Sequence, residues 1–431
     1  MTHNLLQSDL DRQIKSFMAE VYPNANAWQS TAAKTLFRGI IHGGDTLVNR
    51  FAAFVEDNPT SPKGTCERVS GWLEKYDFAT PAAQWLATHN APRVTKDATI
   101  AVDLSDLSKP FGGKGMEGMA KGWDGSRHAL AMGHTFAAAV LVAPSRQSVH
   151  PLAFAFEPGR KPLDKRLHAT VRRVHEKTRD NGILALDRGS DSEGDLTFLQ
   201  SLGHRAVVRV SRLKRDVFGT GKTIDKQLDG EKRFDARLFT SNGGVQARLS
   251  WRVGHLGELH DTPVLLVRSE FGGKVLYLYW LSGAKAAADM ARHAASLERP
   301  GQAPEAVNFF NKLALLAAQA YLDRWQIETF FLRVKQDFSL ENARVRTFQR
   351  LRNLFYLCVL GYSFCTDVLP SGASYKRMLK VLKDNFQRVT FRMQVFLSGL
   401  RTLLGQPRLN VITGRPRKRV WHPAFQMVLN L

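Results

Sequence analysis

The chain has 431 residues, enough for two or three domains and a sizeable core. Its 61 Lys and Arg against 39 Asp and Glu give a formal net charge of +22. Such self-repulsion calls for a standing polyanion partner, nucleic acid before a membrane surface. Three cysteines, Cys66, Cys358 and Cys365, exclude a disulfide framework and offer no CxxC pair for zinc.

The N-terminal MTHNLLQSDLDRQIK lacks the apolar core of a signal peptide. The longest apolar run, Leu354 to Cys365, is too short to span a bilayer and predicts a buried helix. The expectation is a soluble cytoplasmic protein. Up to about Arg93 the chain reads as helical, with apolar residues at three- and four-residue spacing in QIKSFMAEVY and AAKTLFRGIIHGGDTLVNRFAAFV. No strand pattern precedes Pro92.

From Thr99 the period changes. TIAVDL predicts a short strand with Asp103 near its end. The Gly-rich KPFGGKGMEGMAKGWDGS that follows is not expected to hold regular structure for long. HTFAAAVLVAP and SVHPLAFAF predict antiparallel neighbours. KPLDKRLHATVRRVHEKT predicts a helix with Leu163, Leu167, Val171 and Val174 on one side. GILALDRGSD predicts a strand ending in Asp187, DLTFLQSLG a short helix and HRAVVRVSR a further strand. This β-β-β-α-β-α-β order matches an α/β, ribonuclease-H-like core, a hairpin triplet extended by parallel strands through helical crossovers. Leu213 to Ser282 alternates in ARLSWRVG, PVLLVRSE and KVLYLYWLS and predicts a β-rich insertion. A long helix from about Asn308 to Lys335, more helices from about Thr347 to Leu404, and the basic stretch TGRPRKRV follow.

The chemistry begins at YLDRWQIETFFLRVK. A turn of about 100° per residue places Arg324, Glu328 and Lys335 within roughly 60° of Tyr321. The apolar stripe of Ile327, Phe330, Phe331, Val334 and Phe338 adjoins that arc, so the polar stripe borders the core. Asp323 falls away from it. An intrahelical Arg324–Glu328 pair on a solvated face is the competing explanation. Asp103 and Asp187, each at the end of a predicted apolar strand, weigh against it, because strand carboxyl ends gather sites. A turn residue at Asp103 and an Asx turn at Asp187 stay open as plainer alternatives. Asp106 lies close to Asp103 and competes for its place. Three acids suit in-line phosphodiester displacement with two Mg²⁺ or Mn²⁺ ions, and Arg188, Arg324 and Lys335 would hold DNA phosphates.

Tyr321, Arg324, Glu328 and Lys335 fit the spacing Tyr-x-x-Arg-x-x-x-Glu-x6-Lys and resemble the DDE transposases of bacterial insertion sequences, in their IS-four group. Asp187-Arg188-x-x-Asp191 resembles the second-Asp region of that group, Asp103-x-Ser105 the first, and Trp325 beside Arg324 fits several members. The resemblance implies Asp103, Asp187 and Glu328 as catalytic and metal-holding residues. It also implies nicking at transposon ends, attack by the freed 3′-OH, and a dimer assembled on double-stranded DNA. Some members flip a base onto an aromatic residue of the insertion. Tyr277, Tyr279 and Trp280 all crowd that strand here, and the hairpin step stays open.

On this plan residues 1–95 form a helical DNA-binding domain. Residues 96–212 and 283–367 form the two parts of the core, residues 213–282 the insertion, and residues 368–431 a helical, basic C-terminal region. In the last, Arg415 and Arg417 would meet phosphates or enter an AT-rich minor groove. The thirteen histidines show no HExxH or paired-ligand spacing for zinc, and the Gly-rich loop fits no nucleotide-binding fingerprint. A noncatalytic DNA-binding regulator of the same fold and a nuclease that cuts without joining are the competing functions.

Overall fold

The computed structural model describes residues 2–52, 61–109, 115–124, 129–159, 163–214, 218, 220–228, 230–255, 263–299, 302–371 and 375. The chain opens with helices α1 (Thr2–Val21), α2 (Ala27–Gly43), the single turn α3 (Val48–Phe51), α4 (Pro62–Lys75) and α5 (Ala79–Asn90). Local chemistry sets their ends. Asn26 and Gln29 close a capping box at the start of α2, and Gly44 ends it in the left-handed region at φ 56°. Ser61 caps α4 by accepting from the Gly64 amide, with Pro62 in the first turn.

The sheet begins with β1 (Thr99–Ser108), β2 (Ala120–Asp124), β3 (Ala129–Val142) and β4 (Val149–Phe156). Helix α6 (Leu163–Thr178) leads to β5 (Ile183–Leu186), and α7 (Glu193–Leu202) leads to β6 (Ala206–Arg209). After the short α8 (Ile224–Gln227) come β7 (Phe234–Thr240), β8 (Gly243–His255), β9 (Pro263–Phe271) and β10 (Lys274–Leu281). Helices α9 (Ala284–Leu297), α10 (Ala303–Arg324), α11 (Gln326–Gln336), α12 (Phe348–Ser363) and the short α13 (Leu369–Ser371) follow.

All ten strands join one sheet in the order β2-β3-β1-β5-β6-β10-β9-β8-β7, with β4 also on β3. β1 is antiparallel to β3 and parallel to β5, which is parallel to β6. That is the ribonuclease-H-like core of an α/β fold. β10 then pairs antiparallel with β6, so the strands after residue 230 lengthen the core sheet.

Three expectations change. The Gly-rich stretch holds β2, because Ala120–Asp124 can pair along Ala129–Gly133 of β3. The strand at TIAVDL continues to Ser108, so Asp103 lies mid-strand. What ends there is the parallel pairing, since β5 reaches only as far as Val102. The long helix is two, α10 and α11, joined at Trp325.

Two layers cover the sheet. Leu167, Val171 and Val174 of α6 with Leu196 and Leu199 of α7 pack on one face. Phe310, Ala314, Ala317 and Tyr321 of α10 pack on the other. Beyond them, Phe17 of α1 and Phe37 of α2 meet Phe364 at ring separations of 5.3 and 5.6 Å. The N-terminal helices thus share one core with α11 and α12. Asn353 of α12 ties them. Its Oδ1 accepts from the Phe78 and Ala79 amides, and its Nδ2 donates to the Leu73 and Tyr76 carbonyls. The helical stretch Phe348–Ser371 outlasts the apolar run seen in sequence and is long and apolar enough to cross a membrane, yet 72% of its most apolar window is buried inside the protein. The predicted region 368–431 lies almost wholly outside the described residues.

Candidate active site

Three elements bring the acids together. β1 supplies Asp103 at the first position past its pairing with β5. The residue after β5 is Asp187, which opens a short 3-10 turn and whose side chain caps nothing there. The crevice where these parallel strands lose each other is where a site can open in such a sheet. α10 and the first turn of α11 lie across it, carrying Tyr321, Arg324 and Glu328.

Arg324 is the hub. Its Nη1 donates to Asp103 Oδ2 at 2.9 Å and its Nη2 to Glu328 Oε1 at 3.0 Å. The same Nη2 lies 4.0 Å from Asp187 Oδ1. The Tyr321 hydroxyl donates to that Asp187 oxygen at 2.9 Å. The guanidinium is only 2% exposed, while Glu328 keeps 44% of its side chain open, so the acids form the mouth and the arginine the floor.

Electrostatics follow from this crowding. Burial pushes Asp103 up to about 6, and the neighbouring charges of Asp187 and Glu328 add to the rise against Arg324 and the Leu104 amide. Burial also raises Glu328, and outweighs Arg324. Burial works on Asp187 too, but Arg324, the Arg188 amide, the Tyr321 hydroxyl and Arg209 together hold it below the ordinary range. Burial pushes the Tyr321 phenol up to about 12, keeping it a hydrogen-bond donor.

Other candidates fall elsewhere. Asp323 is buried far from the triad, accepting from Arg146 Nε at 2.7 Å, Gln319 Nε2 at 2.8 Å and the Thr99 hydroxyl at 3.3 Å. Asp106 accepts from the Ser108 hydroxyl and lies 3.5 Å from Lys335 Nζ. Lys335 is therefore not gathered with the three acids; its other partner is Glu341, at 3.9 Å. Asp191 is spent on the Ser211 and Arg212 amides. Arg188 is exposed beside Asp187. Trp325, 42% exposed, flanks the Arg324 guanidinium at 5.5 Å. Tyr279 and Trp280 are buried and cannot receive a base. Arg415 and Arg417 lie outside the described residues. Arg209 was missed in sequence: it closes β6 as Asp187 follows β5, and stands 3.8 Å from Asp187 and 3.5 Å from the Tyr321 hydroxyl. A lone charge ending the apolar AVV was its signal.

Among the described residues no three His, Cys, Asp or Glu side chains already close on a shared metal position. Asp103 and Glu328 turn to the Arg324 guanidinium, and Asp187 to the Tyr321 hydroxyl. The donor set nevertheless fits a hard divalent cation. Three carboxylates gather around a single buried guanidinium, an all-oxygen set of the kind such a cation takes.

A ribonuclease-H-like sheet with three acids gathered where its parallel strands part is the architecture of an enzyme that acts on nucleic-acid phosphodiesters. A family model described as a transposase DDE domain matches residues 95–364, well over half of the chain, and the protein belongs to that family of DDE transposases. The family acts on DNA and uses divalent metal ions. No curated protein matches the chain.

Proposed function

We propose that this transposase, a member of the IS-four group, binds the ends of an insertion sequence, hydrolyses the phosphodiester there, and joins the freed 3′-OH to target DNA. The observation that carries this is the convergence of Asp103, Asp187 and Glu328 on Arg324. These three acids would hold the Mg²⁺ or Mn²⁺ ions, two per site. When bound, such ions stabilise the attacking and leaving oxygens of an in-line displacement. Tyr321 fixes the rotamer of Asp187 through its hydroxyl. Arg324 neutralises the acids from the floor of the site, while exposed Arg188 and Trp325 meet the DNA at its mouth. Lys335 reaches phosphate by leaving Asp106 and Glu341. Residues 1–95 recognise the transposon ends, and Arg415 and Arg417 add phosphate contacts. The protein works in the bacterial cytoplasm at the nucleoid, away from membranes, as a dimer assembled on two DNA ends.

The test is cleavage of duplexes carrying the repeats that flank the gene. Alanine at Asp103, Asp187 or Glu328 should lower cleavage by at least about a thousandfold, a loss of roughly 4 kcal/mol of transition-state stabilisation, while binding survives. Full activity in Asp187→Ala would overturn the assignment. Supplying a pre-cleaved 3′-OH end separates a joining enzyme from a nuclease that only cuts.

A further inference from the structure

The β2–β3 hairpin projects past the rest of the sheet. The β3–β1 ladder ends at Gly133, opposite Ser108, with one further bond from the Lys109 amide to the Met132 carbonyl, and among the described residues β3 before that point pairs with β2. The even-numbered residues of β3 continue the face that bears the candidate site: Ala138 sits opposite Asp103, Phe136 opposite Ser105 and His134 opposite Leu107. Further out on the same face come Met132 and Leu130, which are 37% and 66% exposed. Lys121, exposed, is the direct cross-strand partner of Met132 and shares its face.

Exposed apolar side chains on a bare two-stranded ribbon are costly unless a partner covers them. We infer that this ribbon docks in the major groove of the same DNA duplex whose scissile phosphate lies at Asp103. The inference rests on the DNA-end reading above and adds a second contact to it. A two-stranded antiparallel ribbon fits the major groove, where apolar groups meet thymine methyls and base edges, while Lys121 faces phosphate. The ribbon continues the face of the catalytic acids, on a chain with a net charge of +22. Two side chains fall far short of the roughly 800 Å² per partner that a stable protein–protein interface buries, which disfavours a second copy as the occupant. For a duplex laid along β3, strand geometry sets where contact falls. Met132 and Leu130 lie six and eight residues before Ala138, about 20 and 26 Å along the strand at about 3.3 Å per residue. At about 3.4 Å per base step, that is roughly six to eight base pairs from the cut.

The experiment is hydroxyl-radical footprinting and affinity measurement of the full-length protein on the terminal duplex flanking its gene. Wild type should protect the cut position and a second patch roughly six to eight base pairs away. The Leu130→Ser/Met132→Ser variant, altered only at exposed positions, should melt like wild type, lose the second patch alone and bind about tenfold more weakly. A variant that keeps the second patch and its affinity overturns the inference. So does one whose only change is the oligomeric state of the DNA-free protein, which assigns the ribbon to contact between copies. Wild type that protects neither position overturns the end-binding reading, and this inference with it.

Discussion

At the scale of single residues, position relative to charge decides which acids join the candidate site. Asp323 and Glu328 are five residues apart on neighbouring helices, yet Asp323 is consumed by Arg146, Gln319 and Thr99, while Glu328 faces the mouth. That division was legible from the helical repeat, which places Glu328 and not Asp323 on the arc of Tyr321 and Arg324. The choice of Asp103 over Asp106 was legible only in part. Both acids lie past the end of the β5 pairing, and it is the alternation of β1 that turns Asp103 toward α10. Another buried residue carries a pH consequence. His134 is 3% exposed, neither ring nitrogen has a hydrogen-bond partner among the described residues, and burial lowers it to about 4. The folded form therefore binds fewer protons than the unfolded chain between its ordinary 6.5 and about 4. The associated stability is complete above pH 6.5 and is lost as pH falls through that window, by up to about 3 kcal/mol at about 1.4 kcal/mol per unit. Urea melts at pH 7.5 and 4.5 should show a smaller acid loss in His134→Leu than in wild type. Equal losses would assign the acid sensitivity to other groups.

At the scale of elements, periodicity revealed the core strands and the layers that cover them, but not where elements stop. β2 was hidden because glycine propensity describes an isolated segment, and the pairing partner comes from β3. The break at Trp325 was hidden because its backbone stays in the right-handed helical region, φ −57° and ψ −18°, so no breaker residue marks it. β7, an edge strand, was not singled out either, although Phe234, Ala236 and Leu238 alternate with exposed Asp235 and Arg237. The N-terminal helices depend on one polar residue. Asn353 satisfies two amides at the start of α5 and two carbonyls at the end of α4, with no exposed surface of its own. Asn353→Ala removes that partner from the Phe78 amide and the Leu73 carbonyl, at about 1–3 kcal/mol for each group that water cannot reach, while the Ala79 amide keeps Asp77 and the Tyr76 carbonyl keeps Gln349. A loss of about 3 kcal/mol or more in urea unfolding is expected. A change below about 1 kcal/mol would mean that water replaces the amide.

At the scale of the whole molecule, charge and architecture divide the work. The sheet and its helices hold a small cluster of acids, while the +22 surplus is distributed along the chain. Affinity for the end duplex should therefore fall linearly with salt on logarithmic axes, with a slope of several phosphates released. Affinity unchanged between about 50 and 200 mM salt would contradict a phosphate-dominated interface. Composition made the polyanion partner legible at once. It could not show that the strands after residue 230 extend the core sheet, nor that the first helices share a core with α11 and α12, because both are long-range pairings.

The arginine beneath the acids gives the idle enzyme its own counter-ion. Many proteins that gather carboxylates for a metal are frayed without it, because repulsion among the acids is relieved only by the ion. Here the relief is built in, so the folded state should be indifferent to chelation. Melting temperatures with excess EDTA and with millimolar Mg²⁺ are expected to agree within about 1 °C, while Arg324→Gln should make them diverge, the protein becoming markedly more stable with the ion than without it. A wild-type protein that loses several degrees in EDTA would show that the guanidinium does not fill that role.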